Sequence, residues 1–161
     1  MIIGYQGEIG CYSYNSIKNN LNNYNSLKKY NTFREIFIDL HKSKNITHAY
    51  IPIENTIGGK LYENEKMINE FNFIITDIYK YKISHCLLCQ KNVNKNDIKY
   101  VKSHWQALSQ CSDYLNKNNF NTQEYYDTAG ACKFIYENKL TNTAAIASKE
   151  CSNIYNLEII D

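Results

Sequence analysis

The chain reads as an α/β protein of two lobes with mainly parallel sheets. Three observations lead there. Short apolar runs alternate with segments of helical periodicity, the sequence form of strand, crossover and strand. The apolar stretch from Phe73 to Leu88 is too long for one ordinary strand and reads as a crossing between lobes. Four strand ends run into a small or polar turn before a helix start or a glycine loop, which is where open α/β sheets take ligands.

Each element has its own reason. Ile2 to Tyr5 is a short apolar strand, and glycines at 4, 7 and 10 mark the loop after it. Tyr14, Ile17, Leu21 and Tyr24 recur at helical spacing. Thr32-Phe-Arg-Glu35 is a capping-box pattern, followed by an apolar face of Phe33, Ile36, Phe37 and Leu40. His48 to Ile53 reads as a strand and Leu61 to Phe71 as a helix. After the crossing, Ile98 to Val101 reads as a strand. Ser103 to Lys117 reads as one helix with Trp105, Leu108, Cys111 and Leu115 inward. Gln123 to Tyr126 is a strand, and Asp127 caps the helix that follows. Thr143 to Ala147 is a strand of small residues, Ser148 is the expected cap of a last short helix, and Leu157 to Ile160 is the final strand.

Composition bounds the function. The 161 residues are 43% hydrophobic and 14% aromatic, enough for a packed core in one domain or two small lobes. A net charge of +2 gives no basic footprint for nucleic acid, and no run of eighteen apolar residues reads as a membrane span. The start, MIIGY, is a strand and shows no signal-peptide pattern. Cys86 and Cys89 form the one C-x-x-C among six cysteines. A zinc site needs about four ligands, and no second pair stands at zinc spacing, so the cysteines read as small apolar residues of a reducing compartment. Gly4-x-x-Gly7-x-x-Gly10 does not match the dinucleotide fingerprint, so no nucleotide cofactor is expected.

The four polar strand ends are Gly4 to Ser13, Ile53 to Thr56, Ser103 to Gln106 and Asp127 to Ala131. Free helix N-termini favour carboxylates and phosphates. Several around one cleft would hold a small dianion with few arginines, and Arg34 is the only arginine here. Ser103, Gln106 and Gln110 fall on one helical stripe that either lines a cleft or is ordinary amphipathic surface. His104 reads as a proton donor, a hydrogen-bonding helix-start residue or an exposed side chain. Glu54 reads as an acid, a base, an orienting acceptor or a solvated strand-end carboxylate. His41 and His48 have weaker claims, and His85 reads as structural.

Taken together, the motifs resemble the prephenate dehydratase family, and most closely its plant arogenate/prephenate dehydratases. GYQGEIGCYS resembles the family's opening G-Y-x-G-x-x-G-[TS]-[FY]-S, and IPIENTIGG its P-I-E-N-S-x-G-G. ISHCLL resembles the strand entering the second lobe, and KSHWQALSQC the S-H-P-Q-A-L-A-Q-C segment. DTAGACKFI, TAAIAS and IYNLEI resemble the remaining segments, in the family's order. The resemblance implies two lobes like a type II periplasmic binding protein, with the active site between them. It assigns residues 1–78 with 153–161 to lobe 1 and 79–152 to lobe 2, with no ACT regulatory domain in this chain.

The implied reaction removes a carboxylate and hydroxide from a cyclohexadienyl ring, turning prephenate into phenylpyruvate or arogenate into phenylalanine. Aromatisation drives it, so no cofactor or metal is expected. Glu54 and Asn55 fall on the family's E-N pair, Ser103, His104, Gln106 and Gln110 on its S-H-x-Q-x-x-x-Q pattern, Thr128 on the Thr of D-T-A-G-A, and Ser13 on the closing Ser of the first motif. The catalytic set implied is Glu54, Asn55, His104, Gln110 and Thr128. Ser13, Thr56, Ser103, Gln106, Ala129 and Gly130 are the implied substrate contacts. Asn55, Gln106, Gln110 and Thr128 are expected to orient substrate, and Glu54 and His104 to handle protons or orient.

Glu8, Cys11 and Trp105 depart from the family's usual Pro, Thr or Ser, and Pro. The family's N-x-T-R-F motif lies past the position of Asp161. Taken as a complete protein, the chain is expected to have weak or absent activity. The resemblance also implies a homo-oligomer in the cytoplasm, or in the plastid stroma after removal of a transit peptide. Two other readings stand beside the enzyme: a non-catalytic binding module for a small aromatic or dicarboxylic acid, and a partner-binding domain that uses exposed tyrosines.

Overall fold

The computed structural model describes residues 1–42 and 44–161. The chain divides into two compact units, residues 1–7 with 13–81 and residues 8–12 with 82–161.

The first unit is built on a three-stranded parallel sheet of order β2-β1-β3. Its strands are β1 (Ile2–Gln6), β2 (Ser26–Tyr30) and β3 (His48–Ala49). Helix α1 (Tyr12–Asn20) follows β1, and its residues from Ser13 onward belong to this unit. Helix α2 (Phe33–His41) starts on a complete capping box. The Thr32 hydroxyl accepts from Glu35 N at 3.2 Å, and the Glu35 carboxylate accepts from Thr32 N at 3.3 Å. The core holds Ile3, Tyr5, Ile17, Ile36, Phe37 and Ile46. Phe37 stacks on Phe71 and Phe73, with ring centroids 5.9 and 6.0 Å apart.

Strand β3 is shorter than the expected His48 to Ile53. It lies at the sheet edge, and Pro52 has no N–H to continue a ladder. The next residues form a hairpin instead, β4 (Glu54–Asn55) against β5 (Gly59–Lys60). Thr56, Ile57 and Gly58 make its loop, and Gly59 takes the left-handed φ of +75° that closes it. Helix α3 (Tyr62–Glu70) completes the unit. Residues 74–85 carry no regular secondary structure, in keeping with an extended stretch.

The second unit has a mixed five-stranded sheet of order β10-β6-β9-β7-β8. The strands are β6 (Cys86–Cys89), β7 (Tyr100–Ser103), β8 (Asn121–Glu124), β9 (Thr143–Ala147) and β10 (Glu158–Ile159). β7 runs parallel to β8 and β9, while β6 is antiparallel to β9 and β10. Every residue of β9 is buried, which its Thr-Ala-Ala-Ile-Ala composition allows in a central strand. Its Ile146 packs in the core with Leu87, Cys89, Val101, Leu108 and Leu115.

Four expectations are corrected here. Residues 153–161 do not return to the first unit. β10 pairs with β6, and Asp161 binds Lys95 at 2.9 Å and the Tyr114 hydroxyl at 2.7 Å, all within the second unit. The long helix from Ser103 is two helices, α4 (Trp105–Gln110) and α5 (Ser112–Lys117), because Cys111 leaves helical geometry at φ −102° and ψ 11°. Ser103 therefore ends a strand, and Trp105 at the first turn of α4 is 55% exposed rather than inward. Ser148 does not cap α7 (Glu150–Ile154) with its side chain, whose hydroxyl donates to Gly10 O at 2.9 Å.

Candidate functional site

In the second unit, parallel strands β7 and β8 end side by side, with Ser103 registered on Glu124. Tyr125 N donates to Ser103 O at 2.8 Å, which extends the pairing one residue further. The next residues are His104 after β7 and Tyr125 to Thr128 after β8, so polar groups are gathered at neighbouring carboxyl ends.

Asp127 organises this end of the sheet. It is the N-cap of α6 (Thr128–Glu137), and its Oδ2 accepts from Gly130 N at 2.9 Å. The same oxygen accepts from Glu8 N at 3.1 Å, which ties the residue 8–12 loop to the helix start. Burial pushes the Asp127 carboxyl above the usual carboxylate range, and the two N–H groups and His104 oppose that rise. Glu8 faces Lys133 at 3.4 Å and the Tyr126 hydroxyl at 3.4 Å. The rest of the loop is held by the residues that follow β9 and α7: Ser148 bonds Gly10 O, and the Tyr155 hydroxyl donates to Ile9 O at 2.6 Å.

His104 is the N-cap of α4, and its Nδ1 accepts from Gln106 N at 3.4 Å. Nδ1 is therefore a lone-pair site in the neutral ring, and Nε2 carries the proton. Burial lowers the His104 pKa, against the charges of Asp127 and Glu124. At neutral pH it is a hydrogen-bond donor through Nε2 more than a reservoir of protons.

The expected residues divide between the units. Thr128 begins α6 and is 8% exposed. Ala129 and Gly130 are buried behind it, and the Gly130 N–H is already taken by Asp127. Ser103 is fully buried and donates to Ile146 O at 2.6 Å, so its hydroxyl joins two strands rather than facing a ligand. Gln106 and Gln110 lie on α4 and are partly exposed, and the Gln110 Oε1 meets His85 Nε2 at 2.8 Å. In the first unit, Ser13 lies in the first turn of α1 and Glu54 is exposed on β4. Asn55 Oδ1 accepts from Ile57 N at 2.9 Å and Gly58 N at 3.4 Å, so it shapes the hairpin in which Thr56 is exposed.

Three residues outside the expected set bond to it or to its neighbours. Glu8 comes from the glycine loop, Tyr12 from the first turn of α1 and His85 from the strand entry, and their partners lie 25 to 125 residues away. No local periodicity marks such pairs. A shallow hollow lined by Lys91, Asn92, Ser152, Leu157, Glu158 and Ile159 holds none of the site residues. The six cysteines are free thiols, with Cys86 and Cys89 of β6 raised in pKa by burial. Among the described residues no helix is long and apolar enough to cross a membrane.

Fold and polar set thus define an α/β protein whose chemistry-bearing side chains stand at strand carboxyl ends and helix starts. The chain belongs to the prephenate dehydratase family, whose model matches residues 3–161. It is 38% identical over 115 residues to arogenate dehydratase/prephenate dehydratase 2, chloroplastic, of Arabidopsis thaliana. That match takes in 71% of this chain and 30% of the relative, so the chain spans about a third of the relative's length. Two solved structures share the fold over the whole of this chain. One, titled GqqA, a novel type of quorum quenching acylases, has a TM-score of 0.85 at 22% identity and is covered over 58%. The other, the prephenate dehydratase of Staphylococcus aureus subsp. aureus Mu50, has a TM-score of 0.80 at 21% identity and is covered over 60%. At such identities the likeness is one of fold.

Proposed function

We propose that this chain is the catalytic domain of a prephenate or arogenate dehydratase, acting in phenylalanine biosynthesis. A solved protein of the same fold is titled an acylase, so fold alone does not choose the chemistry. The observation that carries the reading is a set of uncharged hydrogen-bonding groups, His104, Gln106, Gln110 and Thr128, near the carboxyl ends of β7 and β8 in a member of this family.

The reaction loses the ring carboxylate as CO2 while the ring hydroxyl departs as hydroxide. The electron pair of the breaking C–C bond enters the ring, and the C–O pair leaves with the oxygen. Aromatisation drives the step, so the protein's task is to orient the substrate and stabilise departing oxygen charge. Neutral His104, protonated on Nε2, suits the second task as a hydrogen-bond donor. Thr128 and the amides of Gln106 and Gln110 suit the carboxylates. In the first unit we keep Glu54, Asn55, Thr56 and Ser13 as proposed substrate residues, with Asn55 acting through its NH2 because its oxygen holds the hairpin. The finer architecture we propose is that of a type II periplasmic binding protein. Assembly as a homo-oligomer, in cytoplasm or plastid stroma, belongs to the same proposal.

The test incubates the chain, alone and extended to the length of its relatives, with prephenate and with arogenate. Phenylpyruvate and phenylalanine are followed by chromatography. Turnover by the extended protein is the expected result, and none with either substrate would overturn the proposal. Calorimetry with prephenate alongside then tells an inactive binding module from a protein that does not bind.

A further inference from the structure

We propose that Tyr12 and His85 are a positioning pair that fixes the amide of Gln110 with its NH2 turned toward a carboxylate ligand. The inference rests on the dehydratase reading for the identity of that ligand, and on geometry for the rest. All three residues belong to the second unit. The Tyr12 hydroxyl stands 2.7 Å from His85 Nδ1 and 3.2 Å from Ser84 O, and His85 Nε2 stands 2.8 Å from Gln110 Oε1.

Proton accounting selects the arrangement. Tyr12 has one O–H to give. If it goes to His85 Nδ1, the shorter contact, the neutral ring carries its proton on Nε2 and donates to Gln110 Oε1. The amide NH2 is then left pointing away from His85, as a pair of donors. If the O–H went to Ser84 O instead, Nδ1 would donate to Tyr12 and a neutral ring would present a bare Nε2. Two acceptors would then face each other at 2.8 Å, and the Gln110 amide would have to turn over. A protonated ring donates from both nitrogens and holds Gln110 as the first arrangement does. So the side chain that meets ligand is Gln110, and Tyr12 and His85 choose which end of it does.

Gln has no charge to enforce its orientation, and a turned amide would set its oxygen against a substrate carboxylate. The Tyr12–His85 pair removes that choice before binding, which is preorganisation in the usual sense. It also gives a purpose to a histidine in the strand entry and a tyrosine at the start of α1, 73 residues apart.

The test has two readouts. Long-range proton–nitrogen NMR on the wild-type protein reports the His85 ring directly. A proton on Nε2 is expected, and a neutral ring protonated on Nδ1 overturns the proposal. Because this signal needs no turnover, it decides the matter even where the dehydratase assay fails. In the active extended protein, Tyr12→Phe is expected to raise KM for prephenate about three- to tenfold with a smaller change in kcat. Gln110→Glu keeps the oxygen facing His85 but replaces the donor with an acceptor, and is expected to raise KM by about tenfold or more. Unchanged KM in both variants would show that the network only staples residues 84–85 to α4.

Discussion

Removing the Asp127 carboxylate should loosen two segments at once. In Asp127→Ala, the α6 N-cap and the bond to Glu8 N are both lost, leaving two N–H groups without their acceptor. Loss of an N-cap costs about 1 kcal/mol, within a range of roughly 0.5 to 2. Orphaning a second, part-buried N–H adds about 1 to 2 kcal/mol. The sum is about 2 to 4 kcal/mol, which for a chain of this size lowers Tm by roughly 5 to 15 °C. Asp127→Asn keeps an oxygen for both donors and drops the buried charge, so it should stay within about 1 kcal/mol of the parent at neutral pH.

The pH dependence of this pair adds a second check. Burial raises the folded-state pKa of Asp127 above 3.8, so the native protein binds the proton more tightly than the unfolded chain does. This group's contribution is fully favourable below 3.8 and declines as pH rises through the raised folded value. Asp127→Asn removes that decline, so its stability relative to the parent should improve from acid toward neutral pH. Urea unfolding followed by circular dichroism at several pH values measures both effects. If Asp127→Asn proves as damaging as Asp127→Ala at neutral pH, the acceptor argument fails. If Asp127→Ala unfolds like the parent, the loop and helix are held by something else.

Three further outcomes follow from single positions. Gly10→Ala puts a Cβ 2.9 Å from Ile154 Cδ1 and 3.0 Å from Cys151 Sγ at a residue with φ +92°, and should cost about 1 to 3 kcal/mol of stability, read as a lower urea midpoint. Thr32→Ala removes one arm of the α2 capping box and should cost about 1 kcal/mol, with faster hydrogen exchange at Glu35 N. The Tyr30 hydroxyl, Asn45 and Lys28 hold the Asp39 carboxyl at about 2, so its contribution is present above 3.8 and lost as pH falls toward 2. Asp39→Asn should flatten the acid limb of the stability profile, which an acid titration by fluorescence would register.

The elements legible in the sequence are those with a local chemical signature. Thr32-Phe-Arg-Glu35 announced α2, Asp127 announced α6, and the buried Thr143–Ala147 strand followed from its small apolar run. Strand β2 was not legible. Ser26–Tyr30 is an edge strand with exposed and half-buried residues, so its pairing with β1 leaves no alternation to read. The break between α4 and α5 was hidden because Leu108, Cys111 and Leu115 keep helical spacing across it. The placement of β10 depends on its pairing with Cys86–Cys89, about seventy residues earlier, and no short-range pattern encodes that. Motifs made the proposed site residues legible as candidates. Their hydrogen-bond commitments were not: the hydroxyl of Ser103 and the Oδ1 of Asn55 both turn out to hold the backbone.

Those commitments bear on how a dianion would be held. Arg34 is the only arginine, and it lies exposed in the first turn of α2. In the second unit, Lys133 faces Glu8, and Lys102 lies over the Tyr125 and Phe134 rings at 5.2 and 5.3 Å. Neither cation stands free to clamp a carboxylate. On the proposed reading, the second-unit site residues bring neutral donors to recognition: His104 Nε2–H, the Thr128 hydroxyl and the amides of Gln106 and Gln110. That suits a reaction in which one carboxylate must leave as CO2. A guanidinium bonded to the departing carboxylate would stabilise the ground state more than the transition state, whose charge has moved into the ring and onto the oxygen. Neutral donors bind less tightly, and their value depends on being aimed in advance. The Asp127 cap at Thr128 and the Tyr12–His85 pair at Gln110 supply that aim.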